Sequence, residues 1–282
     1  MFRQMVRRGI AQVSHWRHMS YPMLRNLATE VGLIGSHRDY TRFIILGRSR
    51  SGSNFLRGLL NAHPQIVAFG EIFQTPDEIA WGLTGYGQSR YLRTLHREDP
   101  VRFLESQVYR RFPRSVAAVG FKIFYYHAQH DGWRPVWRYL AEQKDLRVIH
   151  IRRENILRTH LSRKRAMLTD TWVNVTGEPM TQPPVTLDYR ECLEDFVTTR
   201  AWELRYDELF ADHPKITVRY EDLDTDYAGE MARVQEFLGV SPQPVRPETY
   251  KQSTQPLSQA IANYAELRAR FQGTEWESFF EE

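Results

Sequence analysis

The sequence contains a single cysteine, Cys192, among 282 residues. One cysteine excludes a disulfide within the chain, and scarcity of cysteine is typical of proteins that fold in a reducing compartment. The cysteine and the 10 histidines also lack the close spacing of a zinc site. The sequence therefore predicts a cytoplasmic protein and indicates no metal site.

Acidic residues are missing from the start of the chain, where five arginines precede the first of them, Glu30. This stretch also lacks a continuous apolar run, which argues against a membrane span or a secretory signal. Four of its apolar residues are spaced to give one face of a helix: Met5, Ile10, Val13 and Trp16. We predict that residues 1–40 form a basic helical lead-in that packs on the following domain or contacts an anionic membrane peripherally.

The rest of the chain, residues 41–282, is long enough to bury a sizeable core in one α/β domain. Its apolar run Phe43–Leu46 is short and bounded by Gly47, as in a buried parallel strand. A polar, basic turn follows, and apolar residues then recur at helical spacing. A strand, a turn and a helix in this order bring the backbone N–H groups of residues 51–54 to one point, where the helix dipole favours an anion. Three side chains complete this anion cradle: Arg50, Ser51 and Ser53.

The turn differs from the phosphate-binding loop of a nucleotide kinase. Gly47 and Gly52 have the spacing of that loop, but Ser53 and Asn54 stand where Lys and Ser or Thr are required. A nucleotide kinase with a degenerate loop, dependent on magnesium and ATP, is one alternative interpretation. A second is a non-catalytic module that binds anions or nucleic acid through its basic surface.

A second strand-to-helix junction lies between Leu146 and Ser162. Its strand ends in Arg152 and Arg153, where a kinase would place an aspartate for magnesium. Magnesium is therefore not the expected ligand at this junction. The basic residues that follow also fit a solvated helix, but that interpretation leaves the arginines at the strand end unexplained.

The two junctions and the C-terminal third resemble the superfamily of sulfotransferases that use 3′-phosphoadenylyl sulfate (PAPS). The first junction matches the first cofactor motif of that superfamily, with Ser49 in place of the usual proline. In the C-terminal third, Ile216–Leu223 is predicted to be a last strand that ends in Tyr-Glu-Asp-Leu, with a helix from Met231 to Leu238 after it. This order is particularly similar to bacterial carbohydrate sulfotransferases of the nodulation-factor and trehalose-glycolipid types. The resemblance runs from about Arg42 to the C-terminus.

The resemblance implies a P-loop-like, three-layer α/β domain with a central, mainly parallel sheet flanked by helices. It also implies an enzyme that moves the sulfuryl group of PAPS to a hydroxyl of a small molecule or glycan, and favours a carbohydrate or glycolipid acceptor over nucleic acid. A sulfuryl group carries one negative charge in the transition state, so its transfer can rely on fixed hydrogen-bond donors without a metal ion. The identity of the acceptor and the oligomeric state stay open.

The resemblance assigns the cofactor-binding residues to three places. The cradle that holds the 5′-phosphosulfate consists of Arg50, Ser51, Gly52, Ser53 and Asn54. Arg153 and Ser162 clamp the 3′-phosphate, with Arg152 as the alternative to Arg153. The residues expected to close over the cofactor phosphates are Lys251 and Gln252.

The expected catalytic residues are Arg50 and Glu71, which the resemblance implies, and Lys122, which is singled out by its place in an apolar run. Glu71 follows the second apolar stretch and is the expected base, in contact with the acceptor. Lys122 interrupts a run that otherwise fits a buried strand, and the transferring sulfuryl oxygens would supply the anionic partner that a buried lysine needs. Arg50 stays charged and donates protons poorly, so its expected role is electrostatic. His127 and His130 are alternative bases or substrate contacts.

Residues 168–187 have the composition of a long irregular segment, with three prolines after residue 178. Such segments in compact domains are often lids or substrate loops. We expect this one to be the acceptor-binding lid, with Trp172 stacked on a sugar ring. A helix from Tyr189 to about Phe210 is predicted to follow.

Overall fold

The computed structural model describes residues 28–29, 34–170, 182–247 and 255–281. Seven strands in these ranges form two sheets. The strands are β1 (Ser36–His37), β2 (Thr41–Gly47), β3 (Ile66–Phe69), β4 (Phe112–Pro113), β5 (Ala118–Phe124), β6 (Arg147–Arg152) and β7 (Lys215–Arg219). The central sheet has the order β3-β5-β2-β6-β7, and all four of its pairings are parallel. The short strands β1 and β4 pair antiparallel beside it.

Ten α-helices occur in the described ranges. They are α1 (Ser53–Asn61), α2 (Arg90–Glu98), α3 (Pro100–Phe103), α4 (Arg134–Glu142), α5 (Ile156–Thr169), α6 (Tyr189–Leu209), α7 (Tyr220–Thr225), α8 (Tyr227–Phe237), α9 (Leu257–Ala260) and α10 (Tyr264–Phe271). A π-helical turn spans Leu104–Val108, and 3₁₀ turns span Asp131–Trp133 and Glu277–Phe280. None of the helices in the described part of the chain is both long and apolar enough to cross a membrane.

Both faces of the central sheet are covered by helices. Ile44 and Leu46 of β2 belong to a core shared with α2, α3 and α4, whereas Phe43 and Ile45 belong to a core shared with α1 and α8. Burial on both faces explains why this strand is a continuous apolar run rather than an alternating one. The expected three-layer α/β fold with a parallel central sheet is therefore confirmed.

The parallel pairing brings the carboxyl ends of the five central strands to one edge of the sheet. Gly47 at the end of β2 pairs with Phe124 at the end of β5, and Leu46 pairs with His150 near the end of β6. The segments that follow β2, β3, β5 and β6 therefore start side by side. Ligands of open parallel sheets bind at this edge, and the cradle turn, Glu71, His127 and Arg153 follow strands that end there.

The last strand is shorter than the sequence pattern predicts. The prediction extended it from Ile216 to Leu223, but β7 ends at Arg219 and Tyr220 opens α7. Glu221 and Asp222 lie in the first turn of α7, where negative side chains favour the positive end of the helix dipole. The prediction that the strand continues to Leu223 is therefore wrong.

Several predicted features lie outside the described residues. These features are Lys251, Gln252, Trp172, most of the predicted lid, and most of the N-terminal lead-in. The long helix after the lid, predicted to begin at Tyr189, is present as α6 and ends at Leu209.

Candidate active site

The turn between β2 and α1 is built around two residues with left-handed backbone conformation. Arg50 has φ +68° and Gly52 has φ +87°, so the chain reverses sharply before the helix begins at Ser53. Gly52 is the N-cap of α1 and has no side chain with which to cap the helix. The first-turn N–H groups are therefore oriented to bind an anion together with the helix dipole.

Gly52 is also held in place by a close neighbour. A Cβ atom at this position would lie 2.4 Å from Cδ2 of Tyr220 in α7. The same tyrosine ring lies under the guanidinium of Arg153, with 4.4 Å between the ring centroid and Cζ. Tyr220 thus connects the anion cradle with the arginine at the end of β6.

Arg50, Arg153 and Ser162 lie together on one side of the cradle. Nε of Arg50 donates to Oγ of Ser162 at 2.9 Å, and Nη1 of Arg153 donates to the backbone carbonyl of Arg50 at 3.3 Å. The sequence analysis paired Ser162 with Arg153, whereas the hydrogen bond to Ser162 comes from Arg50. The backbone of Arg50 is left-handed, and its side chain reaches Ser162 of α5.

The cluster of Arg50, Arg153 and Ser162 is electrostatically suited to an anion. Burial lowers the pKa of Arg50 to about 10, and the neighbouring charge of Arg153 acts in the same direction. Burial likewise lowers the pKa of Arg153. Nε of Arg153 is buried and has no hydrogen-bond partner among the described residues. A phosphate bound here would satisfy this donor and offset the repulsion between the two guanidinium groups.

Arg152 has a different partner. Its guanidinium forms an ion pair with Asp207 of α6, and this carboxylate also contacts His150 and Lys215 at 3.2 and 2.8 Å. The hydrogen bond from His150 and those from the other two side chains lower the pKa of Asp207. Arg152 is thus part of an ion-pair network with Asp207.

Glu71, Lys122 and Asn54 meet on the other side of the cradle. Nζ of Lys122 lies 2.8 Å from Oε1 of Glu71 and also donates to Oδ1 of Asn54 in the first turn of α1. Lys122 is only 2% exposed, and its burial lowers its pKa although the charge of Glu71 acts in the opposite direction. The buried lysine predicted from the sequence therefore has Glu71 as its anionic partner and connects this carboxylate to the cradle.

His127 lies on the far side of the Glu71 carboxylate, with 3.7 Å between Nε2 and Oε2. Burial lowers the pKa of His127 to about 4, so the imidazole is neutral at pH 7. His130 lies in an exposed turn just before the 3₁₀ turn at Asp131.

Comparison with known proteins decides the family of this chain. The profile of the Sulfotransferase family matches residues 42–244. The chain belongs to the sulfotransferase family. This confirms the resemblance seen in the sequence, and this sulfotransferase is neither the nucleotide kinase nor the non-catalytic module that were the alternatives.

The sulfotransferase is similar to curated proteins over most of their length. It is 29% identical to nodulation protein H of Rhizobium tropici over 248 residues, which cover 85% of this chain and 92% of the relative. It is 30% identical to nodulation protein H of Rhizobium meliloti over 245 residues, which cover 85% and 94%.

Solved structures with a similar fold include a sulfotransferase from Alicyclobacillus acidocaldarius, with a TM-score of 0.48 and 19% identity over 85% of this chain and 95% of that one. A mouse sulfotransferase complexed with PAP has a TM-score of 0.40 and 16% identity, over 89% and 72% of the two chains.

Three residues in or next to the cradle turn were missed in the sequence analysis: Arg48, Tyr126 and Asp195. Arg48 pairs with Asp195 at 2.9 Å, and the hydroxyl oxygen of Tyr126 accepts a hydrogen bond from the backbone N–H of Ser49. Arg48 lies in the basic turn after β2, and this place in the sequence could have identified it. Asp195 lies in the middle of α6 and Tyr126 follows β5. Both residues contact side chains or backbone groups that are distant in the sequence, and no local pattern indicates such contacts.

Proposed function

We propose that this sulfotransferase moves the sulfuryl group of PAPS to a hydroxyl of a carbohydrate or glycolipid. The observation that carries the proposal is the contact of one buried cation, Lys122, with both Asn54 of the cradle and the carboxylate of Glu71. This contact supports an anion site and a base at adjoining positions. The similarity to nodulation protein H over 85% of the chain supports an acceptor of the carbohydrate type.

The proposed donor site has two anion-binding parts. The first-turn N–H groups of α1, with the buried residues Ser51 and Ser53, bind the 5′-phosphosulfate. Arg153, Ser162 and the side chain of Arg50 bind the 3′-phosphate. This assignment moves the guanidinium of Arg50 from the first part, where the sequence analysis placed it, to the second, because it donates to Ser162.

PAPS, when bound, supplies the sulfuryl group and a phosphate leaving group. The carboxylate of Glu71 accepts the proton of the acceptor hydroxyl. The oxygen of that hydroxyl bonds to sulfur as the bond from sulfur to the 5′-phosphate oxygen breaks. Lys122 and the N–H groups of the cradle stabilise the negative charge on the sulfuryl and phosphate oxygens. Glu71 contacts Lys122, which in turn contacts Asn54 of the cradle, and this position favours Glu71 over His127 as the base.

The remaining expectations form part of the same proposal. We propose a cytoplasmic enzyme that works without a metal ion, and the single cysteine supports the location. Residues 168–187 are proposed as the acceptor lid with Trp172 in contact with the sugar. Lys251 and Gln252 are proposed to close over the cofactor.

Calorimetric binding of 3′,5′-adenosine bisphosphate (PAP), compared with ATP, tests the donor site. Titrations in EDTA and again with magnesium use the wild type, Arg153→Ala, Ser162→Ala and the control Arg138→Ala, whose side chain is 78% exposed. We expect PAP to bind equally with and without magnesium, and to bind more weakly to the Arg153 and Ser162 variants only. Preference for ATP with magnesium, or equal PAP binding by all variants, would contradict the proposal.

A further inference from the structure

Tyr126 is an exposed aromatic side chain at the edge of the candidate active site. It lies two residues beyond the end of β5 and is 39% exposed. Its hydroxyl oxygen accepts a hydrogen bond from the backbone N–H of Ser49, at 3.2 Å. Ser49 belongs to the turn that forms the anion cradle. The exposed ring is therefore attached directly to the proposed donor site.

The ring of Tyr126 is supported by three other aromatic rings, those of Phe124, His127 and Trp202. Its centroid lies 5.6 Å from the ring of Trp202 in α6 and 5.2 Å from the imidazole of His127, which it meets edge to face. The imidazole of His127 in turn faces the carboxylate of Glu71 at 3.7 Å. Tyr126 thus contacts the cradle turn through Ser49 and is connected to the proposed base through His127.

Other large hydrophobic side chains are exposed elsewhere in the described part of the chain. They are Tyr91, Met167, Leu168, Val197 and Leu204. All five lie on helices, and none of their side chains forms a hydrogen bond with the cradle turn among the described residues. Tyr126 differs from them because its exposed ring adjoins both halves of the site.

We propose that Tyr126 is the acceptor platform, on which a pyranose ring of the acceptor stacks so that one of its hydroxyls reaches Glu71. The proposal rests on the sulfuryl transfer to a carbohydrate proposed above, and it names the side chain that selects a sugar. An aromatic ring gives a flat apolar surface for the C–H face of a sugar, and the tyrosine hydroxyl supplies a polar contact beside it.

The chemistry of the hydroxyl agrees with a binding role for Tyr126. Although Tyr126 is 39% exposed, desolvation by the surrounding protein raises the pKa of its hydroxyl, so the phenol is protonated at pH 7. The oxygen accepts from Ser49, and the hydroxyl hydrogen can be donated to a sugar oxygen or a sulfuryl oxygen, since a phenol both donates and accepts. Tyr126 therefore contacts the substrates without exchanging a proton in the reaction.

Three variants separate the contribution of the ring from that of the hydroxyl. Tyr126→Phe keeps the flat ring and loses the bond to Ser49, whereas Tyr126→Leu loses both and stays apolar. Tyr91→Leu is the matched control, because Tyr91 is 64% exposed on α2. Calorimetric binding of PAP to each variant shows whether the donor site is intact.

Acceptor binding is measured by saturation-transfer NMR with saturating PAP. The two probes are trehalose and the β-1,4-linked tetramer of N-acetylglucosamine. We expect at least one of them to bind the wild type, with affinity lowered about tenfold in Tyr126→Leu and less than about threefold in Tyr126→Phe. Tyr91→Leu is expected to match the wild type.

Some results would overturn the role of Tyr126 as acceptor platform while PAP still binds normally. One is that Tyr126→Leu binds the sugars as well as the wild type does. Another is that neither sugar binds to the wild type. Equal losses in Tyr126→Phe and Tyr126→Leu would also contradict stacking, because they would assign the whole effect to the hydroxyl. If the wild type itself does not bind PAP, the result would instead contradict the proposed function.

Discussion

Arg48 and Asp195 form a buried ion pair, with 2.9 Å between Nη2 and Oδ1. Asp195 also contacts His160 and Arg163 of α5, at 3.0 and 2.8 Å. Ser162 lies between these two residues in the sequence. One carboxylate of α6 therefore connects the cradle turn, through Arg48, with the helix that carries Ser162.

Removal of the Asp195 carboxylate is expected to destabilise the protein. In Asp195→Ala, Arg48 keeps its charge at 5% exposure without its acidic partner. The loss of one member of a buried ion pair costs about 3 kcal/mol in the free energy of unfolding, which urea denaturation measures. The control is Asp131→Ala, since Asp131 pairs with Arg134 at 90% and 72% exposure and such pairs contribute less than about 1 kcal/mol. An equal decrease in the free energy of unfolding in the two variants would show that Asp195 stabilises the protein no more than an exposed acidic residue does.

Substitution of Gly52 by alanine is expected to disrupt the cradle. Gly52 has φ +87°, and its new Cβ would lie 2.4 Å from the ring of Tyr220. Gly273 is a matched control, because it has φ +74° and a Cβ added there would have no atom of the described residues within 4 Å. Gly273→Ala should cost about 1 kcal/mol of unfolding free energy from the backbone alone. Gly52→Ala should cost more and should also abolish calorimetric PAP binding, and equal behaviour of the two variants would contradict this account.

Much of the fold follows from local sequence patterns. The run Phe43–Leu46 is continuously apolar because β2 is covered on both faces, and this pattern is sufficient to predict a central parallel strand. The anion cradle is also local, since it consists of consecutive residues between one strand and one helix. Glu71 and Lys122 were singled out because one follows an apolar stretch and the other interrupts an apolar run, and the structure brings the two side chains into contact.

The pairing of side chains could not be predicted in the same way. Arg48 and Asp195 are 147 positions apart, and Arg50 and Ser162 are 112 positions apart. Which guanidinium meets which hydroxyl depends on backbone angles such as the positive φ of Arg50 and on how α5 and α6 pack. Neither feature has a local signal in the sequence, because both are set by tertiary contacts.

The proposed 3′-phosphate site predicts that Arg153 distinguishes PAP from AMP, which lacks that phosphate. Charge-assisted hydrogen bonds contribute about 1.5–3 kcal/mol, so Arg153→Ala should weaken PAP binding by about 10- to 100-fold and leave AMP binding nearly unchanged. Calorimetry with both ligands measures the difference, with Arg138→Ala as the control. Equal losses for the two ligands would instead indicate that Arg153 acts through its hydrogen bond to the carbonyl of Arg50.

The stability of the protein is expected to fall as the pH is lowered from 6.5 to 4. Burial lowers the pKa of His96 and of His127 from 6.5 to about 4. In this pH range the unfolded chain binds protons that the folded protein does not, so the free energy of unfolding decreases with falling pH. The contribution of His96 is on the order of 3 kcal/mol across this range.

His96→Gln tests this pH dependence by urea denaturation at a series of pH values. Nε2 of His96 lies 2.9 Å from the carbonyl of Ile72, and a glutamine amide can donate to the same oxygen. We expect a shallower loss of stability in His96→Gln than in the wild type. His130→Gln, at an exposed position, should keep the wild-type slope, and an unchanged slope in His96→Gln would contradict the prediction.

The contact of Lys122 with Glu71 makes Glu71→Gln the most direct test of the base. A glutamine keeps the shape of the side chain and an oxygen that can contact Lys122. Its amide cannot take the proton from the hydroxyl of the sugar acceptor. Turnover with PAPS and an acceptor should fall by at least about 100-fold, while calorimetric PAP affinity stays within about threefold of the wild type. Glu142→Gln, at a position 65% exposed on α4, should leave both quantities unchanged. If Glu71→Gln retains turnover and His127→Gln loses it, the base is the imidazole, and Glu71 then acts by holding Lys122 against the cradle.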